Sequence, residues 1–125
     1  MLSFEASEIW VAELAEQLPQ EILDKLNCGI ILLPDVLYDD DGLLILGQYH
    51  VDPMGLGRYV TINYGSVVAA HGHLGEKSFK EKLKSVLYHE LTHHLESLAG
   101  DHSLEVQDAI DRHKMLRGYR RRLIR

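Results

Sequence analysis

Apolar residues recur every three or four positions near the start of the chain, which is the spacing of an amphipathic helix. In residues 7–18 this spacing predicts a helix with Ser7 as its N-cap. Pro19 then predicts a short helical segment over residues 19–26, because proline is favoured at the first position of a helix. The chain is therefore expected to begin with two consecutive helices.

A second and longer helical pattern lies in the C-terminal half of the chain. Ser78 and Glu81 match a capping box and predict the first turn of this helix. Gly100 is a typical helix end, and a final helix is expected from residue 103 to about 118. Between the cap and the stop, the leucines are spaced so that they form one buried face: Leu83, Leu87, Leu91, Leu95 and Leu98.

Three short stretches between these helices favour strands. Residues 29–33, 43–49 and 58–64 are rich in apolar, β-branched and aromatic side chains. The acidic stretch at 39–42 ends in glycine and predicts a turn, and a helical turn is expected around residues 66–70. The order of helix, strands and helices predicts an α+β fold.

In this predicted fold, a small three-stranded sheet packs on the long helix, with further helices at both ends of the chain. The 125 residues and their ordinary globular composition predict a single domain, residues 1–125. Cys28 is the single cysteine, so no disulfide can form within the chain. This single cysteine favours a reducing, cytoplasmic location, and neither a secretory signal nor a membrane span is recognisable.

The charge of the chain is uneven. The formal net charge is −6, yet residues 112–125 contain seven Lys and Arg side chains and no acid. Cations at the C-terminus of a helix stabilise the helix dipole, and the acidic remainder would repel a polyanion. We therefore expect neither a nucleic acid nor a membrane as partner.

Residues 89–93 read His-Glu-Leu-Thr-His, an HExxH motif. On a helix, His89 and His93 lie one turn apart on one face, at about 100° per residue, and can bind one zinc ion. The leucine face lies on the opposite side of the same helix. The other histidines are expected at the surface or in supporting positions rather than as ligands: His71, His73, His94, His102 and His113.

Glu90 directly follows the first histidine and can reach a water held by the metal. In this position a carboxylate can act as general base towards the water and later return a proton to the leaving group. Tyr49, Tyr64 and Tyr88 are candidates for a hydrogen-bond donor to an oxyanion. The sequence does not choose among these three tyrosines.

The third metal ligand is sought among Glu96, Asp101, His102, Glu105 and Asp108. Glu96 shares the histidine face but lies a turn beyond the metal, which suits a supporting position. If the helix continues to residue 99, Asp101 lies roughly 10 Å or more from the metal along the axis. Glu105 and Asp108 lie on the predicted returning helix. Because Glu105 has the longer side chain, it is the favoured ligand, ahead of Asp108 and Asp101.

The chain resembles the minimal bacterial zincin-like metallopeptidases over most of its length. The likeness lies in EQLP at 16–19, ILGQY at 45–49, VTINY at 60–64 and HELTHH at 89–94, where the histidine is doubled. The resemblance implies a cytoplasmic bacterial protein with a reduced zincin lobe that hydrolyses peptides or small proteins. The family pattern continues with Gly and a downstream Asp, whereas this sequence has LESLAGD at 95–101.

Two other functions remain open from the sequence. A metal-dependent endoribonuclease similar to rRNA-maturation enzymes would use three histidines, and His89, His93 and His102 weakly match that pattern. Glu90 argues against this alternative, because that family has no glutamate there. A non-catalytic metal-binding or partner-binding module of the same fold is the third possibility. Zinc content and substrate class separate the three.

Overall fold

The computed structural model describes residues 1–52, 54 and 57–99. In these residues the chain forms four α-helices and three β-strands, which confirms the predicted α+β fold. In chain order the elements are α1 (Phe4–Glu16), α2 (Gln20–Lys25), β1 (Ile30–Leu33), β2 (Gly47–Val51), β3 (Arg58–Asn63), α3 (Tyr64–His71) and α4 (Glu76–Leu98).

The sheet has the strand order β1-β3-β2, so β3 lies at its centre. β1 runs parallel to β3 and pairs Ile30 with Val60, whereas β2 runs antiparallel and pairs Tyr49 with Val60. Val60 and Ile62 of the central strand are completely buried. This order places β2 at an edge of the sheet, next to α4.

Helix α1 begins earlier than its apolar spacing predicts, and Ser3 is its N-cap in place of Ser7. The Ser3 hydroxyl accepts a hydrogen bond from the backbone N–H of Ala6 over 3.1 Å. Ser7 lies inside the helix and is completely buried. Serine is favoured as an N-cap at both positions. The helix begins after Ser3 because Phe4, in its first turn, packs against the core.

The capping box expected at Ser78 and Glu81 is also wrong. Helix α4 begins at Glu76, with Gly75 as N-cap and no side-chain hydrogen bond to the cap. Ser78 therefore lies within the first turn. The helix is therefore three residues longer at this end than predicted, and Phe79, which follows Ser78, is completely buried in the core.

The leucine face of α4 is confirmed. Leu83, Leu87 and Leu91 are completely buried, and the leucines at 95 and 98 are buried as well. This face packs against β2, β3, α1 and α3. Burial of a leucine side chain contributes about 1.5–3 kcal/mol to the stability of the fold, so this stripe holds α4 firmly in place.

The strand predicted over residues 43–49 is displaced towards the C-terminus, since β2 covers Gly47–Val51. Before it, Leu44 forms an isolated bridge with Tyr38, around the predicted turn at 39–42. The Asp39 carboxylate accepts hydrogen bonds from the backbone N–H groups of Asp41 and Leu43, both over 2.9 Å. These bonds account for the acidic turn without a bound cation.

Several predictions concern residues outside the described part of the chain. These are Gly100 as helix stop, the final helix from residue 103, the basic stretch 112–125, and the ligand candidates Asp101, His102, Glu105 and Asp108. Within the described part, no helix is long and apolar enough to cross a membrane.

Candidate metal centre

The two histidines of the HExxH motif lie side by side on α4. The ring centroids of His89 and His93 are 5.0 Å apart, and the ring planes are almost perpendicular, at 88°. Because Zn–N bonds measure about 2.0–2.1 Å in a tetrahedral site, two imidazoles on one zinc have ring centres roughly 5 Å apart. The pair therefore fits two ligands of a single zinc ion.

The surroundings of the two rings indicate which nitrogen atoms would bind a metal. The Nδ1 atom of His93 lies 3.2 Å from a carboxylate oxygen of Glu96, and the Nδ1 atom of His89 is buried. The His93 side chain is 49% exposed. A carboxylate on the Nδ1 side orients an imidazole and leaves Nε2 for the metal. The contact of Glu96 with His93 is compatible with a supporting position, which stays a prediction.

Glu90 is enclosed between α4 and the edge strand. Its side chain is only 6% exposed. Burial raises the pKa of Glu90 above its ordinary value, while the nearby His93 acts in the opposite direction. A carboxyl group with a raised pKa is suited to taking up and releasing a proton during a reaction.

Gly47 allows the close approach of β2 to α4 at Glu90. A methyl group built on Gly47 would lie 2.8 Å from Cγ1 of Val86, 3.1 Å from Cγ of Glu90 and 3.2 Å from the backbone oxygen of Thr61. These separations are shorter than ordinary carbon contacts. The absence of a side chain at Gly47 therefore allows Glu90 and Val86 of α4 to lie this close to β2.

We expect Gly47→Ala to lower the free energy of unfolding by about 1–3 kcal/mol, because the added methyl group overpacks this interface. Denaturant unfolding measures the change. Val86→Ala removes Cγ1 of Val86, the atom nearest to the added methyl group. The double variant should therefore be more stable than the sum of the two single effects predicts. Purely additive effects would show that the contact with Val86 is not the cause.

A cavity of about 450 Å³ opens beside His89 and Glu90. Residues 44–47, which lead into β2, form one wall, and α4 forms the opposite wall. His71 at the end of α3 and Lys82 on α4 line the part of the cavity away from the motif. His71, which was expected at the surface or in a supporting position, is half-buried in this wall.

His94, the second histidine of the doubled pair, belongs to the core and is completely buried. Its Nε2–H donates to the backbone oxygen of Ile22 over 3.1 Å, and its Nδ1 accepts from the Tyr49 hydroxyl over 2.8 Å. Burial lowers the pKa of His94, and the positive charge of Arg58 adds to this effect. His94 is therefore a neutral structural residue that connects α4 to α2 and β2.

Each of the three tyrosines considered as a hydrogen-bond donor to an oxyanion has contacts within the fold. The Tyr49 hydroxyl is bonded to His94, and the Tyr64 hydroxyl donates to the backbone oxygen of Leu2. Tyr88 is buried, with the ammonium group of Lys84 5.5 Å from the centre of its ring. Tyr49 and Tyr64 thus have structural roles that their sequence positions did not reveal.

The structure brings together His89, Glu90 and His93, and it describes no third ligand. Among the residues it describes, no group of three His, Cys, Asp or Glu side chains is arranged to hold a metal ion. The predicted third ligand Glu105, like Asp101 and Asp108, lies outside these residues. In the described part, the candidate centre therefore consists of two imidazoles and one buried carboxylate.

No protein-family model and no curated protein matches this chain. A solved structure does: that of a conserved hypothetical protein from T. thermophilus. The two sequences are 30% identical, with a TM-score of 0.65, and the match covers 78% of this chain and 98% of the other. The chain belongs to the family of this T. thermophilus protein. The name of this relative states no activity.

Proposed function

We propose that this protein is a zinc-dependent metallopeptidase, with His89 and His93 as zinc ligands and Glu90 as general base. The observation that carries the proposal is the pair of imidazoles 5.0 Å apart, next to a carboxyl group whose pKa is raised by burial. All three side chains lie on one helix, α4. A zinc centre with few protein ligands and an open side is typical of hydrolases.

Zinc, when bound, would polarise the substrate carbonyl and make a water molecule more acidic. His89 and His93 would hold the metal through Nε2, and Glu96 would keep the His93 ring in orientation. Glu90 would accept the proton of the attacking water and pass it to the departing amine. Glu90 is buried beside Gly47 and lines the cavity, so its carboxyl group would lie next to a substrate bound there.

A peptide is the favoured substrate because of the wall opposite α4. This wall consists of residues 44–47, which lead into the edge strand β2. The backbone N–H of Ile45 already donates to the backbone oxygen of Leu37, so the part of the edge that begins at Gly47 is the one considered for a substrate. An extended peptide can pair with the edge of a sheet through main-chain hydrogen bonds. The proposal therefore includes a peptide or small protein as substrate, and, given the single cysteine, a cytoplasmic location.

The direct test is to incubate the zinc-loaded protein with an unstructured protein and a mixed peptide library. Cleavage is read by mass spectrometry, with chelator-treated protein as control. Zinc-dependent cleavage of peptide bonds supports the proposal. Cleavage of structured RNA but not of peptides would indicate the ribonuclease alternative, whereas stoichiometric zinc without any cleavage would indicate a binding module.

The third ligand remains a prediction. We expect Glu105→Ala to weaken zinc affinity far more than Asp101→Ala, and Asp108→Ala to have an intermediate effect through the surroundings of the site. Competition with a chromophoric chelator measures the three affinities. Loss of zinc in the Asp101 variant but not in the Glu105 variant would assign the ligand to Asp101.

A further inference from the structure

The cavity beside the candidate metal centre has a second end, which the proposed chemistry does not use. Lys82 lines this end and lies on α4 seven residues before His89. Seven residues of helix span roughly 10 Å along the axis. The cavity therefore extends about two turns of α4 from the motif towards Lys82.

The charge at this end is positive. Lys82 is the one Lys or Arg among the described residues that line the cavity, and it is exposed. The acidic residue of the cavity wall, Glu90, is buried at the opposite end. An anionic group entering the cavity would therefore be attracted to the Lys82 end.

His71 lies beside Lys82 in this part of the wall. Partial burial and the positive charge of Lys82 lower the pKa of His71. A neutral imidazole retains one N–H group and can donate a hydrogen bond without adding charge. The two side chains together offer an ammonium group and a hydrogen-bond donor, a combination that suits a carboxylate.

We infer that Lys82 determines substrate specificity by binding a carboxylate of the peptide, either an acidic side chain or the free C-terminus. The inference rests on the function proposed above and adds the class of substrate to it. An extended peptide advances about 3.3 Å per residue, so a carboxylate at Lys82 lies about three residues from the bond to be cleaved. Apolar side chains are expected beside it, because Leu44, Leu46 and Val86 line the same cavity.

The test measures binding separately from cleavage. Zinc-loaded Glu90→Gln serves as an inactive background, and the affinities of fluorescent peptides are measured by anisotropy. In one series a single glutamate moves along an apolar, C-terminally amidated peptide, with glutamine at the same positions as control. In the other series the glutamine peptides carry either a free or an amidated C-terminus. The two series distinguish an acidic side chain from a terminal carboxylate.

We expect one position of glutamate, or the free C-terminus, to improve affinity about fivefold over the neutral peptide at low salt. Lys82→Glu should reverse this preference, because attraction becomes repulsion. Lys77→Glu is the matched control, since it makes the same charge change in an exposed side chain of α4 that does not line the cavity. The preference of the Lys77→Glu protein for a carboxylate should equal that of the Glu90→Gln protein without a further change. The preference should also shrink at about 1 M salt, where charges are strongly screened.

Equal affinity for charged and neutral peptides in both series overturns the inference, as does a preference that survives Lys82→Glu. Failure to bind any of the peptides overturns it too. A different result would contradict the proposed function: the wild type would cleave no peptide, although binding that depends on Lys82 is observed. Conversely, cleavage without a preference for a carboxylate supports the peptidase and rejects the role of Lys82.

Discussion

Glu90→Gln is expected to reduce peptide hydrolysis by about 10²–10⁴-fold, the usual loss when a general base is removed. The amide is nearly the same size as the carboxylate and fits the same space against Gly47. It cannot accept the proton of the attacking water. Because the glutamine side chain is neutral, it also removes the cost of burying a charge, so the variant should fold at least as well as the wild type. Zinc content should not change.

The matched control is Glu81→Gln, which makes the same chemical change on α4 at an exposed position away from the cavity. Its hydrolysis rate should stay within about twofold of the wild type, since surface substitutions rarely alter a fold. Rates are compared at saturating zinc, with metal content measured for every protein. Equal rates for Glu90→Gln and the wild type would contradict the role assigned to Glu90.

His93→Ala and His94→Ala are expected to affect different properties: the first should affect zinc binding, and the second should affect the stability of the fold. His93→Ala should abolish stoichiometric zinc binding and change the stability of the zinc-free protein by no more than about 0.5 kcal/mol, because the side chain is 49% exposed. His94→Ala should lower that stability by about 2–4 kcal/mol. It leaves a cavity in the core and removes the hydrogen-bond partner of Tyr49 and of the Ile22 carbonyl.

Two measurements separate these effects. Elemental analysis after dialysis gives the zinc content, and denaturant unfolding of the zinc-free proteins gives the stability. Zinc content of His94→Ala is measured well below its unfolding midpoint, where the two ligands should still hold metal. If His93→Ala retained as much zinc as the wild type, or if His94→Ala alone lost it, the assignment of the ligands would be wrong.

The helical and strand periodicities of the sequence are enough to predict the α+β fold and the face of α4 that enters the core. Leucines at helical spacing can be buried together only on one side, and all five are buried. The same spacing brings His89 and His93 onto one face, because one turn of helix separates them whatever surrounds it. The prediction of Ser7 and Ser78 as N-caps was wrong, because several residues near the start of each helix satisfy the same local preference.

The roles of Glu90, His94 and Gly47 were decided by the tertiary structure. Local spacing does not show that α2 and β2 approach α4 so closely that His94 is completely buried beside its exposed neighbour His93. Nor does it show that the missing side chain of Gly47 makes room for Glu90, or that burial raises the pKa of this carboxyl group. Periodicity reports which side chains share a face of one helix. Burial, cavity walls and pKa shifts arise from contacts between elements distant in the chain, which only the packed structure contains.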